Sequence, residues 1–185
     1  MDRRLSVAGW IAGCAAVASA TTFAAAGLTP RRIPGYGISV DLPRSWVGAA
    51  PPAAASAFGV KYAFRASDAV SGFRANLNVI VAPLPAGTTL REWFFGGISS
   101  AYQYVGTTRP FTVDGAHGLS YESTKATKYR TLPLLVEEYA VVRDGHVFVF
   151  TYTALASTRS SYGDVFSASA RSIRLTAHPL TPVKA

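Results

Sequence analysis

Cysteine and histidine are scarce in this chain. One cysteine, Cys14, and three histidines stand among 185 residues. A single cysteine cannot form an internal disulfide, so burial of apolar side chains must stabilise the fold. The histidines, His117, His146 and His178, lack close ligand spacing such as His-x-x-x-His, which disfavours a zinc site. We therefore predict no metal and no cofactor.

The first fourteen residues have the pattern of an export signal. Arg3 and Arg4 precede an apolar run, and Ile11-Ala12-Gly13-Cys14 resembles a lipobox. The residues after Arg4, Leu5-Ser6-Val7, lack the Phe-Leu pair expected of a twin-arginine signal, so the arginines fit a plain positive leader. This pattern predicts an exported protein.

The fate of the apolar segment has three alternatives. A lipoprotein peptidase could cut before Cys14, whose thiol would then carry the lipid. An ordinary signal peptidase could instead cut after Ala18-Ser19-Ala20 or Ala24-Ala25-Ala26 and discard the cysteine. An uncleaved helix from Leu5 to Ala26 would be long enough to cross a bilayer. The first two alternatives place the protein on the outer face of the cell membrane as a lipoprotein, or secrete it.

Acidic residues are also few. Ten Asp and Glu stand against 18 Lys and Arg, for a net charge of +8, and loss of residues 1–26 would leave +7. Such a charge favours anionic phospholipid or acidic envelope polymers as partners. Nucleic acid is not expected, because the basic residues are scattered and the chain carries an export signal.

The remaining sequence is one domain in size. We predict an export signal over residues 1–26, a tether over 27–35, a single domain over 36–176 and a mobile tail over 177–185.

Alternation of apolar and polar residues predicts the first strands. Gly37–Leu42 fits a strand with one buried face, and Phe58–Arg65 and Phe73–Val81 fit a strand pair. The alanine-rich stretch Pro51–Ser56 between them is interpreted as a loop.

Two capping-box patterns predict helix starts. Thr89 stands three residues before Glu92, and the apolar residues that follow keep a helical period. Ser161 and Asp164 have the same spacing near the end of the domain. We expect both helices to pack on a sheet.

Two Asp-Gly pairs predict tight hairpins, because both central residues of a type I′ turn need positive φ. Asp114-Gly115 should turn the strand Phe111–Val113 back into a strand over Ala116–Glu122. Asp144-Gly145 should place Val141 opposite Phe148, Tyr139 opposite Phe150 and Glu137 opposite Tyr152. One face of this hairpin is then aromatic and the other aliphatic. Strands covered on both sides require a layered sheet.

These features together resemble the PsbP-like superfamily. The resemblance rests on Gly37-Ile38-Ser39-Val40-Asp41-Leu42-Pro43-Arg44-Ser45-Trp46, a helix in mid-chain, the outgoing strand Val147-Phe148-Val149-Phe150-Thr151-Tyr152, and a closing Tyr-x-x-x-Phe helix. The group includes PsbP, the DcrB-type proteins and actinobacterial lipoproteins of the LpqN and LpqT type. It implies an α+β fold, an antiparallel sheet with helices packed on both faces (an α/β/α sandwich), in members that mostly act as non-enzymatic binding or assembly partners.

No catalytic residues are predicted. Asp114, His117 and Ser120 have the residue types of a hydrolase triad, but a single hairpin cannot easily bring them together. Glu137 and Glu138 are adjacent on a strand, so they point to opposite faces and cannot act across one bond; we interpret them as ladder or edge charges.

The residues proposed for binding lie after the first Asp-Gly turn. A segment interpreted as a loop holds Lys125, Lys128 and Arg130, which alternate with Tyr121 and Tyr129. One alternative is a loop that is simply solvated, and the other is a loop that touches an anionic lipid or a partner. We therefore predict an exported, lipid-anchored, non-enzymatic binding module of the cell envelope. Its partner would be an envelope protein, an anionic lipid or polymer, or a small hydrophobic ligand. The alternative is an envelope hydrolase whose active site is not recognisable from sequence.

Overall fold

The computed structural model describes residues 27–51, 53–57, 59–98, 106–125 and 133–176. Within them the strands are Leu28–Ile33 (β1), Ile38–Pro43 (β2), Val47–Ala49 (β3), Val60–Arg65 (β4), Asn76–Pro83 (β5), Gly106–Val113 (β6), Ala116–Lys125 (β7), Leu134–Arg143 (β8), His146–Leu155 (β9) and Arg174–Leu175 (β10). The α-helices are Ala53–Ala57 (α1), Leu90–Ile98 (α2) and Arg159–Arg171 (α3).

The strands form two antiparallel sheets. Seven strands have the order β3-β4-β5-β9-β8-β7-β6, and the smaller sheet has the order β1-β2-β10. Helix α2 packs on one face of the large sheet through Phe94, and α3 packs on the other face through Val165 and Phe166. The predicted fold class, an α+β fold with an antiparallel sheet and helices on both faces, is confirmed. The separate small sheet was not predicted.

The two Asp-Gly turns set the register of the central strands. Asp114 and Asp144 have φ values of 51° and 49°, and the glycine after each has φ of 75° and 70°. Both turns therefore have the positive φ values that a type I′ hairpin needs. Val141 lies opposite Phe148, Tyr139 opposite Phe150 and Glu137 opposite Tyr152, as predicted.

Aromatic side chains fill the interior between the large sheet and α3. The Tyr152 ring lies 5.1 Å from Phe166 and 5.8 Å from Tyr139, measured between ring centroids. The Tyr152 hydroxyl hydrogen-bonds the Ser169 hydroxyl at 2.8 Å, so this buried polar group has a partner. On the opposite face, Ala140, Val147 and Val149 pack beneath α2. The predicted division into an aromatic and an aliphatic face is confirmed.

The predicted tether over residues 27–35 is wrong in its central part. Residues 28–33 form β1, which pairs with β2 in the register Leu28 to Pro43 and Ile33 to Ile38. Ile33 is buried in the core. Pro30 and Pro34 argued against a strand in the sequence. An edge strand tolerates proline, because the backbone groups on its outer side need no strand partner.

Two local predictions also need correction. The stretch Pro51–Ser56, interpreted as a loop, contains all of α1 except its last residue, Ala57. Helix α3 begins two residues before Ser161, after the 3-10 turn Ala156–Thr158, so Ser161 and Asp164 are not its cap. The Thr158 hydroxyl donates to the Leu155 carbonyl at 2.8 Å and makes no cap either.

The capping box at the start of α2 is confirmed. The Glu92 amide donates to Thr89 Oγ1 at 3.2 Å, and the Thr89 amide donates to Glu92 Oε2 at 2.8 Å. These two bonds satisfy backbone donors that the first helical turn leaves free. The Thr89 amide and hydroxyl, both donors, lower the pKa of Glu92.

Candidate functional site

Most of the predicted site residues lie outside the described part of the chain. Cys14, Lys128, Tyr129 and Arg130 all lie there. Lys125 is the last residue of β7. The strand is thus three residues longer than the stretch Ala116–Glu122 that the hairpin pattern indicated. The binding role of this segment stays a prediction.

Tyr121 is not in a loop, as the sequence suggested, but inside β7. It is 3% exposed, and its ring lies 6.3 Å from Phe94 and 6.0 Å from Phe95, between centroids. Burial raises the pKa of its hydroxyl. Side chains along β7 point to alternate faces of the sheet, and Tyr121 is on the face that α2 covers. Its ring therefore belongs to the core beneath that helix.

Asp114, His117 and Ser120 form no triad. Asp114 Oδ2 accepts the Leu175 amide at 2.9 Å and Arg143 Nη1 at 3.1 Å. The backbone amide of Leu175 holds the pKa of Asp114 below its usual range. His117 Nδ1 lies 3.4 Å from Thr112 Oγ1, while Ser120 Oγ donates to the Arg109 carbonyl at 3.5 Å. Asp114 thus joins the first hairpin to β10.

Glu137 and Glu138 point to opposite faces, as predicted, but neither is an exposed edge charge. They are 7% and 5% exposed. Glu137 Oε2 accepts the Tyr139 hydroxyl at 2.8 Å on the α3 side of the sheet. Glu138 Oε1 accepts the Thr151 hydroxyl at 3.2 Å. The interpretation as edge charges is therefore wrong, because β8 lies inside the sheet and both its faces are covered. The alternative, a ladder residue, fits Glu138, which bonds the residue opposite it on β9.

A first groove, the acidic groove, runs between α3 and strands β7 and β8. It has a volume of about 420 Å³ and is lined by Glu122, Glu137, Arg159, Ser160, Gly163, Asp164 and Ser167. Glu122 forms an ion pair with Arg159. Burial raises the pKa of Glu137, and the neighbouring Glu122 charge raises it further. The groove therefore holds a carboxyl group with a raised pKa beside an ion-paired carboxylate.

Sequence reasoning missed this carboxyl pair. Glu122 lies directly opposite Glu137 because β7 pairs with β8. The Asp-Gly turn fixed the β8–β9 register, but a connection longer than a two-residue turn separates β7 from β8, so its register could not be fixed from the sequence.

A second groove, the arginine groove, lies where β1 meets β3 and β4. It has a volume of about 460 Å³ and is lined by Pro30, Arg31, Arg32, Arg44, Trp46, Val47, Gly48, Tyr62 and Phe64. Arg32 and Arg44 are exposed, and Val47 on its rim is 58% exposed. Within the described ranges the two ion pairs are Arg143–Asp114 and Arg159–Glu122, so none of the three groove arginines has a carboxylate partner there.

Buried aromatic packing shapes the arginine groove. The Trp46 ring lies 6.4 Å from both Tyr162 and Phe166, which fixes the turn after β2. The Tyr62 ring lies against β3 at Gly48, where a Cβ atom would come within 2.6 Å of the Tyr62 hydroxyl oxygen. Glycine at position 48 therefore allows the Tyr62 ring, the aromatic floor of the groove, to lie close to edge strand β3.

Arg31 connects the two walls of the arginine groove. Its Nη2 donates to the Arg44 carbonyl at 3.1 Å and to the Trp46 carbonyl at 3.5 Å. Its Nε is buried without an acceptor in the described structure. Among the residues that the structure describes, two carbonyl oxygens and no carboxylate thus face this guanidinium group.

Two further observations concern metals and membranes. In the ranges that the structure describes, no three His, Cys, Asp or Glu side chains are grouped so that they could hold a metal ion. Among the same residues, no helix has both the length and the apolar character needed to cross a bilayer.

Comparison with solved structures identifies the fold. The cyanobacterial PsbP protein (CyanoP) of Synechocystis sp. PCC 6803 superposes with a TM-score of 0.59 at 16% identity, covering 89% of this chain and 98% of that one. LpqN of Mycobacterium tuberculosis, described as involved in cell envelope biogenesis, superposes with a TM-score of 0.56 at 14% identity, covering 80% and 90% of the two chains. A protein of Bacteroides thetaiotaomicron VPI-5482 gives 0.55 at 9% identity, covering 82% of this chain and 49% of that one.

The chain has the PsbP-like fold, and the resemblance to that superfamily is confirmed at the level of fold. No protein-family model matches the sequence, and no curated protein matches it. Identities this low carry over the fold and not the site residues.

Proposed function

We propose that this protein is an exported, non-enzymatic interaction module of the cell envelope, anchored by lipid at Cys14 on the outer face of the membrane. The observation that carries the proposal is the arginine groove, in which Arg31, Arg32 and Arg44 surround an aromatic floor and have no carboxylate partner within the described structure. Guanidinium groups bind carboxylate and phosphate strongly, so this groove suits an acidic partner.

The export signal and the fold support the same proposal. Cys14 ends the lipobox-like sequence, and β1 begins fourteen residues later. An acylated Cys14 would therefore hold the domain on a short connection to the membrane surface. LpqN, which shares the fold, acts in cell envelope biogenesis. A second contact with an anionic partner would come from the basic residues Lys125, Lys128 and Arg130.

The anchor can be tested by metabolic labelling with a fatty acid. Wild-type protein should incorporate the label and sediment with membranes. Cys14→Ser should lose the label and either move to the medium or fail to mature. An unlabelled wild-type protein would contradict the lipoprotein assignment and favour cleavage by an ordinary signal peptidase.

A second candidate function, an envelope hydrolase, is favoured by the acidic groove alone. Glu137, whose pKa is raised by burial, could donate a proton, and Glu122 lies beside it in an ion pair with Arg159. Purified protein can be assayed on ester, peptide and glycan substrates. Glu138→Gln is the matched control for Glu137→Gln, because Glu138 lies on the opposite face. Turnover that Glu137→Gln abolishes and Glu138→Gln retains would overturn the binding proposal; we expect no turnover.

A further inference from the structure

The exposed parts of the arginine groove combine charge with apolar surface. Arg32 and Arg44 are exposed, and neither side chain makes a hydrogen bond within the described structure, where every side-chain bond in this groove belongs to Arg31. Val47 stands beside them on edge strand β3 with 58% of its surface exposed. Guanidinium groups next to an exposed aliphatic side chain suit a membrane interface, where phosphates and acyl chains lie close together.

The position of the groove along the chain points to the same surface. The groove includes Pro30, Arg31 and Arg32 of β1, the first described strand. Cys14 lies sixteen residues before Pro30. A domain tethered at Cys14 would thus present its first strand within one short connection of the lipid headgroups. An extended chain of this length reaches roughly 50 Å, which is ample for the groove to touch the membrane.

We propose that the arginine groove docks on anionic phospholipid, with Arg32 and Arg44 on headgroup phosphates and Val47 at the level of the uppermost acyl carbons. The proposal deepens the proposed function, on which it rests, by naming the acidic partner as the lipid surface itself. Arg31 has a positioning role, because its bonds to the Arg44 and Trp46 carbonyls hold the turn that carries Arg44.

Vesicle sedimentation tests this docking with the full chain carrying Cys14→Ser, so that no acyl group contributes. One vesicle preparation contains phosphatidylglycerol mixed with phosphatidylcholine, and the other phosphatidylcholine alone. The difference between the two subtracts any binding by the apolar residues of the export segment. The test variant adds Arg32→Gln and Arg44→Gln, which leave the Arg31 hydrogen bonds in place.

The matched control adds Arg91→Gln and Arg109→Gln instead. Arg91 is an exposed residue of α2, and Arg109 is an exposed residue of β6, the strand at the opposite edge of the large sheet from β3. Both double variants lose two positive charges, so their net charge is the same. The control variant also loses the contact of the Arg91 guanidinium with the Phe95 ring, whose centroid lies 5.2 Å away. Thermal unfolding of each variant checks that the fold is intact.

The expected result is a loss of about tenfold or more in partitioning to phosphatidylglycerol vesicles for the groove variant, and a small loss for the control. Binding should also vanish at about 1 M salt, where the Debye length falls to about 3 Å. Equal losses in both variants would overturn the proposal, because they would show attraction by net charge alone. Release of the protein by inorganic phosphate at low concentration would also overturn it, in favour of a small-anion site.

The test separates failure of the docking from failure of the proposed function. Wild-type protein that takes up the fatty-acid label, while its Cys14→Ser form shows no preference for phosphatidylglycerol, would keep the anchored module and remove the lipid-docking groove. The groove would then serve an acidic protein or polymer. Docking without any label would keep the groove and remove the anchor.

Discussion

The carboxyl group of Glu137 shows how a single buried charge affects this domain. It lies between β8 and α3, where burial raises its pKa while the Tyr139 hydroxyl opposes the shift by donating to the ionised form. A carboxyl pKa that is higher in the folded state means that the folded protein holds this proton more tightly than the unfolded chain. Ionised Glu137 is therefore destabilising, in contrast to Asp114, whose pKa is lowered by the Leu175 amide.

We expect Glu137→Gln to stabilise the protein at neutral pH and to have little effect in acid. Below the unfolded carboxyl pKa of about 4.3, both the folded and unfolded states are protonated, so the penalty is absent. It grows as the pH rises toward the raised folded pKa and is constant above it. Urea titrations of wild type and variant across this range measure the difference. A stability gain of the same size at every pH would contradict the burial argument.

Strands β7 and β8 approach each other so closely at Gly118 that only glycine fits there. A Cβ atom there would overlap the Ala140 carbonyl oxygen and lie 2.7 Å from Val141 Cγ1. Gly118→Ala should therefore reduce the free energy of unfolding by about 1–3 kcal/mol. Gly163→Ala is the control: Gly163 has open space around it in α3, and alanine should add up to about 1 kcal/mol there. An unchanged urea midpoint for Gly118→Ala would show that β7 and β8 lie further apart.

At the level of elements, several signals confined to a few neighbouring residues correctly predicted turns, a helix start and a strand register. The Asp-Gly turns, the Thr89 capping box and the β8–β9 register depend on local backbone geometry, which the sequence specifies directly. Two local signals failed, the Ser161–Asp164 capping pattern and the Pro51–Ser56 loop. The other errors fell where a distant partner decides the outcome. β1 exists because β2 has an edge to pair, and each groove is assembled from several elements, over residues 30–64 for the arginine groove and 122–167 for the acidic groove. No residue pattern in 27–35 carries that information.

The β8–β9 hairpin gives a sharp element-level prediction. Gly145 has φ of 70°, a region that β-branched residues avoid, so Gly145→Val should destabilise the protein by at least about 1 kcal/mol. Gly145→Asn should cost less, because asparagine tolerates positive φ. Urea unfolding of the two variants measures the difference. Equal midpoints for both would argue that side-chain branching at this position is immaterial and the turn is not type I′.

Strand β1 can be tested through its buried end. Ile33 lies in the core opposite Ile38, so Ile33→Ala should cost about 2–5 kcal/mol and Ile33→Val about 0.5–1.5 kcal/mol. A flexible tether would make both substitutions neutral. Denaturant unfolding distinguishes these outcomes, and neutrality would remove β1 from the folded domain.

The whole molecule separates its charges. The acidic groove lies beside α3, against strands β7 and β8, and the arginine groove lies at the β1–β4 edge of the fold. Asp114 links the first hairpin to β10, and Ser172 Oγ accepts the Asp41 amide of β2 at 2.7 Å, so the small sheet is tied to the rest of the domain. A basic edge that follows the proposed anchor is the arrangement expected of a module held against an acidic surface.

The central claim, that this fold works as a lipid-anchored envelope module, is tested most directly by the intact mass of the mature protein purified from membranes. The account predicts an N-terminus at Cys14 whose mass includes a diacylglyceryl group. A soluble protein that begins after Ala20 or Ala26 and carries no lipid would contradict it, as would an uncleaved chain that retains residues 1–13.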